Sequence, residues 1–280
     1  MKKTWLKGVM GLMSMAALAA CGANEGASSD SSANTSEDKL AQIQDKGELV
    51  IATTADYPPY EWHLVKNGKD EIVGFDIDIA NEIATELGVE LIVKDMDFDG
   101  LIPALSTGKV DLVIAGMNPT PERAESVDFT DVYVTTKDVV LIRKEDGEKY
   151  TSPESLNDAK WATQKSTIQE DFLKEAYADN YLQSVGKWGT AILSLNTGKV
   201  DAILMVETVA NQYAKENDNL MVANLDIASE ANEAAIAVQK SNEAFLETVN
   251  GILNDLQEAG KVDELILKNV QLMEENSSEE

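Results

Sequence analysis

The sequence predicts an α/β fold built from two similar units, and three observations lead there. From Glu48 onward, short β-rich runs alternate with helical patterns, as in mainly parallel sheets flanked by helices. The segment 101–114 is echoed at 191–204, with seven of fourteen residues identical, among them the run Thr-Gly-Lys-Val-Asp. With 280 residues and 44% hydrophobic content, the chain is long enough to pack a core in each unit.

The elements follow in order. Leu49-Val50-Ile51-Ala52-Thr53 is a buried first strand. A helix then runs to Leu87, with Asp76 as its cap, Ile77, Ile79, Ile83 and Leu87 near helical spacing, and Gly88 as its stop. Val89–Val93 is the second strand. Each copy of the repeat reads as a helix closed by Gly108 or Gly198, a tight connection and a buried strand. A further strand before Thr163 leads to a helix over Glu170–Ala178, with Ser166 or Thr167 as its cap.

In open α/β sheets a ligand sits beyond the carboxyl ends of the strands. Three segments fall there. Tyr57-Pro58-Pro59-Tyr60-Glu61-Trp62 follows the first strand, and its prolines stiffen an aromatic wall suited to an amino-acid side chain or a flat polar solute. Gly116–Arg123 follows the first repeat strand. There Gly116 lets backbone approach a ligand, Asn118 offers an amide, and Arg123 on a helical turn started by Pro121 can grip a carboxylate through two parallel hydrogen bonds. Met205–Thr208 follows the second repeat strand and holds Glu207, the carboxylate in reach of an ammonium group. Exposed amides and hydroxyls over Thr163–Gln169, among them Gln164 and Thr167, could meet an anion at a helix start.

The first twenty residues have Lys2, Lys3 and Lys7, an apolar run from Val9 to Leu18, and then small residues, which is the layout of a secretory signal. Leu18-Ala19-Ala20-Cys21 resembles the end of a bacterial lipoprotein signal, with lipid (palmitate among its chains) carried on Cys21, the only cysteine. Cysteine redox chemistry and disulfides are thereby excluded. The apolar run is too short to span a bilayer. Residues 21–45 are expected to be the lipidated cysteine and a flexible tether, and 274–280 an acidic tail that frays. The formal net charge of −27 makes nucleic acid an unsuitable partner. No Cys/His cluster supports a metal site, and no Gly-rich phosphate loop or GxSxG is present, so neither metal nor cofactor is expected.

Taken in order, ADYPPYEW, VGFDIDIANEIATELG, MDFDGLIPALSTGKVDLVIAGMNPTPERAESVDFTDVY and TGKVDAIL resemble the bacterial extracellular solute-binding proteins of the polar amino acid ABC-transporter family (family 3), from Leu49 to about Met273. The resemblance implies a two-lobed type II periplasmic-binding fold with the ligand cleft between lobes. Lobe 1 would comprise 46–134 and 232–273, and lobe 2 135–231, with crossings near Val134–Lys137 and Glu230–Ala234. It implies that Arg123 grips the ligand α-carboxylate, aided by Asn118 and the Gly116 backbone. Tyr57 and Phe98 would enclose the side chain, and Thr167 and Ile168 would lie in the second-lobe segment that also meets the carboxylate. The implied function is capture of a small polar solute, an amino acid, on the extracytoplasmic face of the cell membrane, by a monomer anchored through Cys21 and delivering to ABC-transporter permease subunits.

The sequence departs from that family's pattern in two places. Thr54 stands where many relatives have an aspartate. Val206 stands where the aspartate for the α-ammonium is usual, with Glu207 one place later. Either Glu207 serves, or the ammonium is held differently, or the solute is not a standard α-amino acid. Two alternatives to uptake are a ligand-sensing protein for a membrane receptor and a small-acid dehydratase on the same fold. In the latter Glu207 could act as a base, whereas His63, in an expected hairpin, is exposed.

Overall fold

A computed structural model describes residues 39–227 and 231–277. The chain order begins α1 (Lys39–Lys46), β1 (Glu48–Thr53), β2 (Asp56–Tyr57), β3 (Glu61–Lys66), β4 (Lys69–Val73), α2 (Phe75–Leu87) and β5 (Glu90–Asp95). It continues with α3 (Leu101–Ser106), β6 (Leu112–Val113), α4 (Pro121–Ala124), β7 (Val127–Thr136) and β8 (Asp138–Arg143). Then come β9 (Trp161–Gln164), α5 (Ile168–Ala176), β10 (Leu182–Val185), α6 (Trp188–Asn196), β11 (Ala202–Val206), α7 (Glu207–Glu216) and β12 (Leu220–Val222). The last elements are β13 (Asn232–Gln239), α8 (Glu243–Glu258) and α9 (Lys261–Ser277).

These elements build two five-stranded sheets, ordered β5-β1-β6-β13-β7 and β10-β9-β11-β8-β12, and a three-stranded one, β2-β3-β4. In the first, β5, β1 and β6 are parallel; in the second, β10, β9 and β11 are. The returning strands β13 and β8 run antiparallel to their neighbours. The expected α/β fold with two lobes is therefore present. Strands β1, β6, β9 and β11 are buried along nearly their whole length, which is why they read as continuous apolar runs rather than alternating ones.

The repeat is structural as well as sequential. Gly108 and Gly198 take φ values of 69° and 72°, which glycine adopts without a Cβ penalty, and end the helices preceding β6 and β11. The aspartate that follows does the same work in each copy. Asp111 Oδ2 accepts from Val50 N at 2.8 Å, and Asp201 Oδ2 accepts from Lys160 N at 3.0 Å, so each ties its strand to the next one in the sheet.

Three expectations are corrected. The segment assigned to the tether ends before Lys39, because Lys39–Lys46 form α1, with Ile43 buried and Lys39 paired to Asp111 at 2.6 Å. The acidic tail does not fray from Glu274, since α9 continues to Ser277 and Lys215 holds Glu274 at 2.8 Å. Asp76 does not cap α2: the cap position is Gly74, and Asp76 is buried beneath the helix start. The expected signal, Cys21 and the expected tether up to residue 38 lie outside the described residues, as do 228–230, of which Glu230 is the first residue of the expected return crossing, and 278–280. Among the described residues no helix is long and apolar enough to cross a membrane.

Candidate functional site

The carboxyl ends of β1 and β6 and those of β9 and β11 meet across a narrow cleft lined by Tyr57, Phe98, Gly116, Asn118, Gln164 and Thr167. All six were expected from sequence. Ala115, Gln169, Trp188 and Asn232 complete the lining. Tyr57 stacks on Trp188 of the other lobe, centroids 5.9 Å apart, and leans on Tyr60 at 5.0 Å, which packs on Phe75 at 4.4 Å. Tyr60 is thus a core residue, while Tyr57 carries the aromatic chain into the cleft. The free volume of this narrow cleft is about 10 Å³.

Arg123 sits where the sequence places it. Thr120 caps α4 by accepting from Arg123 N at 3.3 Å, and Pro121 opens the turn. The guanidinium lies over the Phe98 ring, 5.3 Å from its centroid. One Nη donates to Asn118 O at 2.8 Å; the other crosses to the second lobe and donates to Ser166 O at 2.8 Å. Burial lowers its pKa to about 10, which leaves it a cation at neutral pH. Beside it opens a cavity of about 460 Å³ that includes Phe98, Met117, Thr120, Ser166 and Ile168. Ile168 therefore borders Arg123 from this side rather than lining the narrow cleft.

On the second lobe, Thr167 caps α5 by accepting from Glu170 N at 3.3 Å and donates to Gln164 O at 2.7 Å. Gln164 Nε2 donates to Gly186 O at 3.1 Å. Further contacts hold the lobes together. Lys165 pairs with Asp99 at 2.7 Å, Lys187 pairs with Asp95, Gly189 N donates to Asp56 Oδ2 at 3.3 Å, and Tyr213 Oη donates to Asp56 O at 2.8 Å. Burial pushes the Asp56 carboxyl up to about 6 despite Lys187 nearby.

Three expected roles change. Glu207 begins α7 and turns out of the cleft to Lys137, 3.0 Å away, so it is not positioned to hold an ammonium group there. The Gly116 N–H is taken by Asp76 Oδ2 at 3.0 Å. The Asn118 amide donates to Asn232 Oδ1 at 2.8 Å and Glu233 O at 2.7 Å, which fastens it to the return crossing. Gly116 still has to be glycine: its φ is 55°, and a Cβ would meet the Tyr57 ring at 3.0 Å.

Behind Gly116 lies a buried acid pair. Asp76 Oδ2 also accepts from Tyr133 Oη at 2.9 Å, whereas Asp76 Oδ1 and both Glu61 oxygens are buried without a hydrogen-bond donor among the described residues. Burial raises Asp76 to about 7 against the lowering effect of Gly116 and Tyr133, and burial together with Asp76 raises Glu61 well above the carboxylate range. Burial and mutual repulsion thus favour the protonated forms of this pair in the folded protein. The folded state then binds more protons than the unfolded state between about pH 4 and pH 7, so stability falls as pH rises through that window. The melting temperature is expected to drop by roughly 5 °C from pH 5 to pH 8. In Glu61→Gln the drop should flatten; an unchanged slope by calorimetry would remove the pair as its cause.

A family model for bacterial extracellular solute-binding proteins, family 3, matches residues 49–271. The arginine-binding extracellular protein ArtP of Bacillus subtilis (strain 168) is 33% identical over 269 residues, covering 94% of this chain and 96% of that protein. An amino acid ABC transporter substrate-binding protein from Streptococcus pneumoniae Canada MDR_19A, crystallised with L-arginine, superposes with a TM-score of 0.81 at 38% identity, covering 84% of this chain and 98% of that one. The ancestral amino acid-binding protein AncCDT-1, a precursor of cyclohexadienyl dehydratase, superposes with a TM-score of 0.75 at 34% identity, covering 82% and 98%. With a two-lobed fold, an arginine-bearing cleft between the lobes and matches over most of its length, this chain belongs to the bacterial extracellular solute-binding proteins, family 3.

Proposed function

We propose that this protein is the substrate-binding lipoprotein of an ABC importer, capturing an L-amino acid by closure of its two lobes and delivering it to the permease subunits. In this reading lobe 1 is 46–134 with 232–273 and lobe 2 is 135–231. Residues 1–20 are the exported leader, lipid on Cys21 anchors the chain to the outer face of the membrane, and the protein works as a monomer. The observation that carries the reading is Arg123, a cation held over Phe98 at the lobe junction with its fork turned toward both lobes. That geometry suits a carboxylate, which accepts two parallel charge-assisted bonds. Tyr57, Phe98 and Trp188 supply apolar walls for a side chain, and Gln164 and Thr167 the polar ones.

Two of the relatives above carry arginine in their names or their crystals, so arginine heads the ligands to be tested. A thermal-shift screen against the twenty standard amino acids is expected to give at least one hit that raises the melting temperature by several degrees, because a ligand that binds only the folded state stabilises it by mass action. Silence across all twenty would overturn the amino-acid reading. Dehydratase chemistry lacks the base suggested for it, since Glu207 pairs with Lys137 and His63 faces solvent beside Asp70 at 2.9 Å. A receptor-reporting role uses the same cleft; uptake of labelled solute in a strain without the protein separates it from import.

A further inference from the structure

Val206 leaves β11 without the carboxylate that an α-amino acid's ammonium group calls for, and Glu207 points elsewhere. Directly across the antiparallel β8/β11 pair, however, Val206 is opposite Asp138. Cross-strand partners project from the same face of a sheet with Cβ atoms about 5 Å apart, so a carboxylate at 138 rises beside the place where one at 206 would stand.

The surroundings of Asp138 suit a bound cation. The residue is 8% exposed, and it lines a cavity of about 500 Å³ shared with Asn118, Thr120 and Ile168. Its Oδ1 accepts from Gln169 Nε2 at 2.8 Å and Asn232 Nδ2 at 3.0 Å, both from residues that line the narrow cleft. Asn232 in turn accepts from Asn118, whose carbonyl holds Arg123. Among the described residues nothing donates to Oδ2, and no lysine or arginine pairs with the carboxylate. Burial pushes its pKa up while the two amides act against it. A buried acid oriented by two amides and lacking a counter-ion is stabilised by any cation delivered to its open oxygen.

We propose that Asp138 is the acceptor for the ligand α-ammonium group, a binding residue moved by one strand from β11 to β8, while Arg123 holds the α-carboxylate. This rests on the amino-acid reading above. The test is calorimetry with L-arginine and L-glutamine and with their desamino counterparts, 5-guanidinopentanoate and glutaramate. Asp138→Asn keeps an acceptor for Gln169 and Asn232 and removes the charge. It is expected to weaken binding of the amino acid that the native protein takes up by on the order of 100-fold, while changing affinity for the desamino acid by less than about threefold. Adding Val206→Asp to that variant should restore at least a tenth of native affinity. Equal weakening of amino acid and desamino acid would make Asp138 a structural residue only and overturn the proposal. Where the native protein binds neither, the comparison is run with the amino acid that the twenty-member screen selects and its desamino counterpart; silence across all twenty would instead sink the amino-acid reading, and this inference with it.

Discussion

Replacing Arg123 by alanine is expected to weaken amino-acid binding by on the order of a thousandfold, with the circular dichroism spectrum unchanged. The size follows from the position. A partly buried guanidinium with no acidic side chain paired to it among the described residues presents both Nη groups at the lobe junction, and its removal leaves the ligand carboxylate desolvated and unpaired. Arg123→Lys keeps the charge but loses the fork, so an intermediate loss of about tenfold to a hundredfold should appear. Near-native affinity of the alanine variant by calorimetry would dismiss the carboxylate clamp.

The largest loss of stability is expected at Gly74. Its φ of 141° is one that side-chain-bearing residues rarely adopt, and a Cβ there would stand 1.9 Å from Tyr60 O and 2.5 Å from Tyr60 C. Relief by local movement is blocked, because Phe75 N and Asp76 N donate to Pro59 O and Tyr60 O at 3.1 and 3.0 Å, locking the start of α2 to the aromatic loop. Gly74→Ala should therefore cost about 4 kcal/mol or more, or leave no folded protein to purify. Gly68→Ala is the matched control. It also has a positive φ, 75°, but open space around the new methyl, and should cost about 1 kcal/mol. Similar losses at both positions in urea titrations would show that backbone conformation, rather than the collision with Tyr60, governs the effect.

What the sequence showed was what local chemistry controls. The repeated Thr-Gly-Lys-Val-Asp turn dictates a left-handed glycine just past the helix cap and a buried strand, and both copies adopt them. Pro121 and Thr120 fix the turn that carries Arg123, and Thr167 caps α5, so these positions could be read from neighbours within four residues. Partnerships over long separations could not. Asn118 looks like a free amide in its own segment, yet its donors are taken by Asn232 and Glu233, more than a hundred residues away. Asp76 looks like a helix cap until the fold brings Gly116 and Tyr133 to it. Trp188 could have been noticed, since it is an aromatic residue three places past the end of β10 and the strand-end rule applied to Tyr57 covers it equally. Glu207 shows the limit of ungapped register. One residue past β11 the chain has already turned into α7, and the side chain faces Lys137.

The pairing of β7 with β13 bears on how the cleft opens. The chain leaves the first sheet at Thr136 and returns at Asn232, and these two residues are themselves register partners at the end of one antiparallel ladder. Two strands bonded side by side resist sliding past one another, since slippage would break every rung; the ladder shifts register at Ala234/Ala235 and Ala235/Ala237, where such irregularities bend a strand and increase its local twist. Because exit and return share one rung, a change of angle at this one ladder would reorient one five-stranded sheet against the other while leaving the core under each sheet packed.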